Sequence, residues 1–188
     1  MQTEALQGGF ADPAVDAAHA FRAAMEAMAR PGTIQTVAGA EPPAPLSQAA
    51  GVLLLTLCDA ETPLHLAGAH DCAAVRDWVV FHTGAPLVGA EKAMFALGDW
   101  AALQPLDRFP VGTAQYPDRS TTLVVEMSAL EAGGATLSGP GIRERAALSL
   151  PEVAAFQRNA MLYPLGVDFY FTAGAQLAAL PRSITVEG

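Results

Sequence analysis

Lysine is almost missing from this chain, with Lys92 the sole example among 188 residues. Pyridoxal phosphate chemistry needs a lysine amine for its Schiff base, so any such activity would rest on Lys92 alone. Lys92 stands between Glu91 and Ala93 at a loop-to-strand junction, which reads as exposed and without a partner for a cofactor phosphate. We therefore expect no cofactor in this chain. The two cysteines, Cys58 and Cys72, are not spaced as CxxC, so neither a zinc knuckle nor a redox pair is supported and both read as reduced, buried thiols. Ten basic residues face nineteen acidic ones, a net charge of -9 that argues against nucleic acid. The longest apolar run, Ala49 to Leu55, falls well short of the roughly 20 residues that span a bilayer, and we expect no membrane association. Met1 to Phe10 carries no positive charge and no apolar stretch, so we expect no secretory signal and a cytoplasmic chain.

Chemical signatures are equally scarce. No GxxxxGK[ST] loop, no GxGxxG after a strand and no GxSxG elbow occurs. His19, His65, His70 and His82 show no HExxH, HxH or HxxxH spacing, so no metal site is expected. No residue can be assigned a catalytic role from the sequence.

What is present is an apolar composition, 52% hydrophobic against 15% charged, which suits a single domain over residues 1–188 with surfaces covered by partners. Five of the arginines, Arg30, Arg108, Arg119, Arg143 and Arg182, lie within two positions of a Pro or Gly. Four belong to distinctive strings: Met28 to Gly32, Tyr116 to Ser120, Gly139 to Arg143 and Leu180 to Ser183. A guanidinium forks phosphate or carboxylate in a plane, so Arg30, Arg119, Arg143 and Arg182 could together line an oxyanion site. Alternatively each braces its own turn. Arg145 is expected to pair locally with Glu144. His82, at the end of a helix, suits a general acid or base, or simply stabilises the helix terminus. Asp168 at a strand start suits loop N–H groups or an arginine.

The periodicity predicts a first helix from Asp12-Pro13 to about Ala29, with Val15, Ala18, Phe21, Met25 and Met28 as its apolar face. Further helices are expected over Leu46 to Cys58, from an Asp71 cap to Thr83-Gly84, around Trp100 to Leu103, and over Pro151 to Met161. Strands are expected at 33–37, 62–67, 93–97, 121–127, 134–138, 166–171 and 183–186. Helices crowd the first half and strands mix in throughout, which gives an α/β fold with a mixed sheet flanked by helices.

Taken in order, Gly9-Phe10, Phe21-Arg22, Ala27 to Gly32, Leu54 to Asp59, Phe81 to Pro86, Gly139 to Ile142, Pro164 to Asp168 and Leu180 to Arg182 resemble the H subunit of the bacterial carbon–phosphorus lyase system. That resemblance implies a three-layer sandwich related to pyridoxal-phosphate-dependent transferases but without the cofactor lysine. It also implies an accessory role beside G, I and J subunits, in an assembly that couples phosphonates to the ribose of ATP and releases adenine. A homodimer is expected for the isolated chain. An independent enzyme acting on a phosphorylated substrate through His82 and the loop arginines is the competing expectation, and a purely structural scaffold the third.

Overall fold

The computed structural model describes residues 6–188, so the reading of Met1 to Phe10 falls in part outside the described residues. Helix α1 spans Pro13–Ala29; the Asp12 side chain accepts from the Val15 N–H, and Pro13 occupies the first turn. Strand β1 (Gln35–Thr36) leads to α2 (Gln48–Leu57), capped by Ser47, and β2 (Leu64–Leu66) to α3 (Ala73–Thr83). Then come β3 (Phe95–Asp99), α4 (Trp100–Leu103), β4 (Thr122–Glu126), β5 (Ala135–Ser138), β6 (Ala146–Leu148), α5 (Val153–Ala160), β7 (Asp168–Ala173), β8 (Gln176–Leu180) and β9 (Thr185–Glu187).

Six strands form the main sheet in the order β1-β8-β7-β4-β3-β2. Strands β7, β4, β3 and β2 run parallel, while β8 pairs antiparallel with β7 and β1 antiparallel with β8, which makes the sheet mixed. A second, antiparallel sheet has the order β6-β5-β9. The register builds two apolar layers from the period-two alternation of each strand. Leu66, Leu97, Val124, Tyr170 and Ala179 are register neighbours and join the core under α1, α2 and α3. Ala96, Leu123, Phe169 and Leu180 form the next row and face the other core, with Phe156 of α5 and Leu137, Leu148 and Val186 of the small sheet. The Phe156 ring meets the Phe169 ring edge-on at 4.8 Å, and Trp100 stacks on Phe156 at 5.0 Å.

Three expectations are corrected. Helix α1 turns outward the face predicted to be its core side: Ala20, Ala24 and Ala27 are buried, whereas Val15, Phe21 and Met25 are 48%, 49% and 55% exposed. Methyl-sized side chains let α1 approach α2 and β8 closely, near enough for the Tyr170 hydroxyl to donate to the Ala24 carbonyl at 3.3 Å. Asp71 does not cap α3; Cys72 occupies the cap position without a side-chain bond, and Asp71 pairs with Arg76. Strands β6 and β8 had no counterpart among the expected strands, because Ala-Ala-Leu and Gln-Leu-Ala-Ala-Leu lack the β-branched and aromatic residues that mark one.

Helix α2 carries no acidic residue in its first turn, and its N-terminus is served from across the chain. The Ser47 N–H donates to Glu126 Oε1 at 2.7 Å, and the Thr172 hydroxyl donates to Glu126 Oε2 at 2.9 Å. A carboxylate there also complements the helix dipole. Glu126→Ala strands the Ser47 backbone donor, at about 1–3 kcal/mol, and leaves the Thr172 hydroxyl only its long bond to the Val125 carbonyl at 3.5 Å. We expect the thermal midpoint to fall by roughly 5–10 °C in scanning calorimetry. Glu126→Gln should recover part of the loss, and an unchanged midpoint for the alanine variant would remove the anchoring role.

Candidate functional site

The four arginine-bearing strings come from distant parts of the chain, yet their loops touch in series. Gly141 packs so closely on the end of α1 that an added Cβ would lie 2.0 Å from the Ala29 carbonyl oxygen, and its φ of +83 also favours glycine. Gly139 lies beside the Ser183 carbonyl, with 3.3 Å from an added Cβ. Arg182 in turn reaches the 116–120 loop, where its Nη1 donates to the Pro117 carbonyl at 2.8 Å and its Nη2 donates to the Ser120 hydroxyl. The tight turns that the sequence punctuates with Pro and Gly thus abut one another along one rim.

Their guanidinium groups do not share one arrangement. Arg182 is largely buried, its side chain 13% exposed, and it is spent on the protein itself. Its backbone N–H and Nε donate to Asp168 Oδ1 at 2.8 and 3.1 Å, and Nη2 donates to Asp168 Oδ2. Asp168 opens β7 and Arg182 follows β8, so the fork joins the two strand ends to the 116–120 loop. This is bracing geometry, with Nε and both Nη atoms engaged by internal acceptors. Arg119 lies over the Tyr116 ring, 4.1 Å from its centroid, and Arg30 pairs with Glu26 at 2.9 Å on the surface of α1. Arg143 is exposed and makes no ion pair among the described residues. Arg145 pairs with Glu187 at 2.9 Å, not with Glu144, because β6 and β9 flank β5 and Arg145, just before β6, reaches across it to β9.

His82 sits apart from these contacts. Its ring lies 4.9 Å from those of Trp78 and Phe81, and Gly9 packs over it so tightly that an added Cβ would be 2.5 Å from the ring. Its Nε2 is buried without a hydrogen-bond partner among the described residues. Lys92 is exposed in the turn before β3. Burial pushes the Cys58 thiol up to about 12, with Asp59 adding to it, so this sulfur stays protonated and inert. Burial likewise raises the Tyr170 phenol to about 12, with the Asp168 charge contributing second.

One buried cluster escaped the sequence reading. Glu126 ends β4 at the carboxyl end of the parallel strands, where His70 Nε2 stands 3.9 Å from its Oε1. Both side chains are nearly enclosed, at 7% and 9% exposure, and His70 Nδ1 has no partner among the described residues. The available signal was a single carboxylate interrupting the apolar strand Thr121 to Met127. On the other face a cavity of 510 Å³ opens between the 104–111 segment and α5. Leu106, Phe109, Val111, Leu162 and Val167 supply apolar wall, and the Asn159 amide, also lining it, donates to the Val167 carbonyl and accepts from the Val167 N–H, each at 2.9 Å.

Comparison with known proteins assigns the family. A family model described as "Bacterial phosphonate metabolism protein (PhnH)" matches residues 8–187. The chain belongs to the PhnH family of bacterial phosphonate metabolism proteins. It is 40% identical over 195 residues to the alpha-D-ribose 1-methylphosphonate 5-triphosphate synthase subunit PhnH of Rhizobium meliloti (strain 1021), covering 99% of this chain and 98% of that protein. It is 30% identical over 173 residues to HtxG of Stutzerimonas stutzeri, provisionally named a C-P lyase subunit protein, covering 87% of this chain and 82% of the relative. Membership of the family spans the whole rim, the sheet and both apolar layers.

The two kinds of arginine should respond differently to removal. Arg182→Ala leaves the half-buried Asp168 only the backbone N–H of position 182, at about 1.5–3 kcal/mol, so the thermal midpoint should drop by roughly 5–10 °C. Arg143→Ala should stay within about 0.5 kcal/mol of the parent. Equal, small effects in a urea titration of both variants would contradict the brace.

Proposed function

We propose that this chain is an accessory subunit of the carbon–phosphorus lyase core assembly, required for organophosphonate catabolism and without a catalytic step of its own. The observation that carries this reading is the match over residues 8–187, joined to 40% identity along nearly the full length of a relative named as a synthase subunit. On this reading its partners are the G, I and J subunits. The assembly couples a phosphonate to the ribose of ATP and releases adenine. The isolated chain is a cytoplasmic homodimer that binds no nucleic acid. No helix of the described residues is long and apolar enough to cross a membrane.

Exposed apolar side chains give the reading physical support. Met161, Leu162 and Tyr163 follow α5 at 78%, 48% and 63% exposure, and Phe81 on α3 is 60% exposed. A subunit has reason to keep such surface for its neighbours. The fold is then a relative of the pyridoxal-phosphate-dependent transferases whose lysine chemistry has been lost, in keeping with the exposed setting of Lys92. Any phosphorylated ligand at the arginine rim would be met by Arg119, Arg143 and Arg30, with Arg182 and Asp168 shaping the loops beneath.

The competing reading, an independent enzyme using His82 with the loop arginines, draws less support. Gly9, Trp78 and Phe81 pack on His82, and none of them belongs to the arginine-bearing loops. A scaffold with no ligand site is separated from both by titration with methylphosphonate and ATP, monitored through Trp78 and Trp100. Coexpression with the G, I and J subunits should yield one complex containing this chain in fixed stoichiometry through affinity and size-exclusion steps. Recovery of a G, I and J complex from which this chain separates at low salt would overturn the proposal.

A further inference from the structure

The cavity between the 104–111 segment and α5 lies next to Met161, the most exposed large apolar side chain of the described residues. Leu162 belongs to both, since it lines the cavity and is itself half exposed, and Tyr163 follows it on the outside. These three side chains stand on fixed backbone. The Leu162 N–H donates to the Asn159 carbonyl at 3.0 Å, the Tyr163 N–H to the Ala160 carbonyl at 3.2 Å and the Leu165 N–H to the Leu162 carbonyl at 2.9 Å. A preformed hollow of 510 Å³ with an apolar ledge beside it has the shape of an anchor pocket at a protein interface.

The polar groups around the hollow decide what can fill it. Asn159 is engaged by the Val167 backbone, and Arg158 donates through Nη2 to Glu152 Oε1 at 3.2 Å. Arg108, next to the lining, is half-buried, with Nη2 donating to the Ala102 carbonyl at 2.6 Å and its guanidinium over the Phe109 ring. Two lining groups are left over. Asp107 is exposed and makes no ion pair among the described residues, and Gln104 Nε2 is buried without a hydrogen-bond partner among them. A matching occupant therefore brings an apolar body, a cation for the carboxylate and a carbonyl oxygen for the amide. A small apolar molecule would fill the hollow but leave Met161 and Tyr163 open to water. A stretch of polypeptide supplies all three groups and covers the ledge as well.

We propose that this hollow docks a segment of another subunit: a large apolar side chain seats in the cavity, a lysine or arginine near it in the chain meets Asp107, and a main-chain carbonyl accepts from the Gln104 amide. This rests on the accessory-subunit reading above and gives it a surface. The net charge of -9 steers a basic segment toward the chain. An anionic membrane surface fits poorly, because Asp107 and Glu152 repel acidic headgroups and Arg158 is already paired.

The test replaces Met161 by p-benzoylphenylalanine in a chain coexpressed with the G, I and J subunits. Irradiation of the purified complex should join position 161 to one segment of one partner subunit, and mass spectrometry of the crosslinked peptide should find a large apolar residue with a lysine or arginine within about four positions of it. Leu162→Glu and Asp107→Lys should each weaken binding to a preformed complex of the G, I and J subunits by at least about tenfold, with the thermal midpoint of the isolated chain held within about 2 °C. Changing the crosslinked segment's basic residue to glutamate should restore part of the binding of Asp107→Lys. Phe81→Glu, exposed on α3 across the sheet, should bind as the wild type does. Normal binding by both Leu162→Glu and Asp107→Lys would overturn the docking site. So would a crosslink from position 161 to a second copy of this chain, or none to any subunit of a complex that contains the chain. A small molecule retained by the isolated chain in native mass spectrometry, and expelled by Leu162→Glu without effect on assembly, would make the hollow a ligand site instead. In each of those cases the accessory-subunit reading survives. If the wild type never joins the G, I and J subunits, that reading falls and takes this proposal with it.

Discussion

The Arg182–Asp168 fork is the contact on which the arginine rim depends. It pins the start of β7 to the chain leaving β8 and, through Pro117 and Ser120, holds the loop that feeds β4. Taking both charges out of water is costly, and the cost is offset only because the guanidinium fork and both carboxylate oxygens find partners there. The neighbouring turns inherit their positions from it: Gly139 lies against Ser183, one residue beyond Arg182, and Gly141 against the end of α1. A loop rim in a chain with few charges is thus organised by one of its few enclosed ion pairs.

A second carboxylate does comparable work at the opposite end of the parallel strands. Glu126 ties the N-terminus of α2 to β4 and β7, supplying from the sheet the negative end group that the helix sequence does not contain. Between these two polar ties the sheet is held by apolar contact, with Val124 and Tyr170 facing the helices and Leu123, Phe169 and Phe171 facing α5 and the small sheet. The polar groups fix where the elements end, and the apolar rows fix which faces meet.

Most elements could be read from local chemistry. Asp12-Pro13 and Pro31-Gly32 bound α1, Ser47 begins α2 and Gly84 ends α3 in the left-handed region, each for reasons contained in a few neighbouring residues. Strand β4 announced itself through Thr122, Val124 and Val125. Strand β8 did not, because alanine fits helix and strand alike, and only its place between β7 and β1 makes Gln176–Leu180 extended. The ordered strings from Gly9 to Arg182 carried the family as well, since each is short but their sequence in series is specific.

What the sequence could not decide is which of two apolar surfaces would be covered. In α1 the larger residues, Val15, Phe21 and Met25, promised the core, yet the alanine face won because only methyl groups allow the helix to approach α2 and β8 so closely. Likewise Arg30, Arg119, Arg143 and Arg182 look alike in sequence, each a cation beside a turn. Tertiary contacts separate them into one buried fork, one stacked on Tyr116, one tied to Glu26 and one exposed arm. Local patterns set each segment's shape through backbone preference and capping. Burial, which depends on every other segment at once, set what each side chain is for.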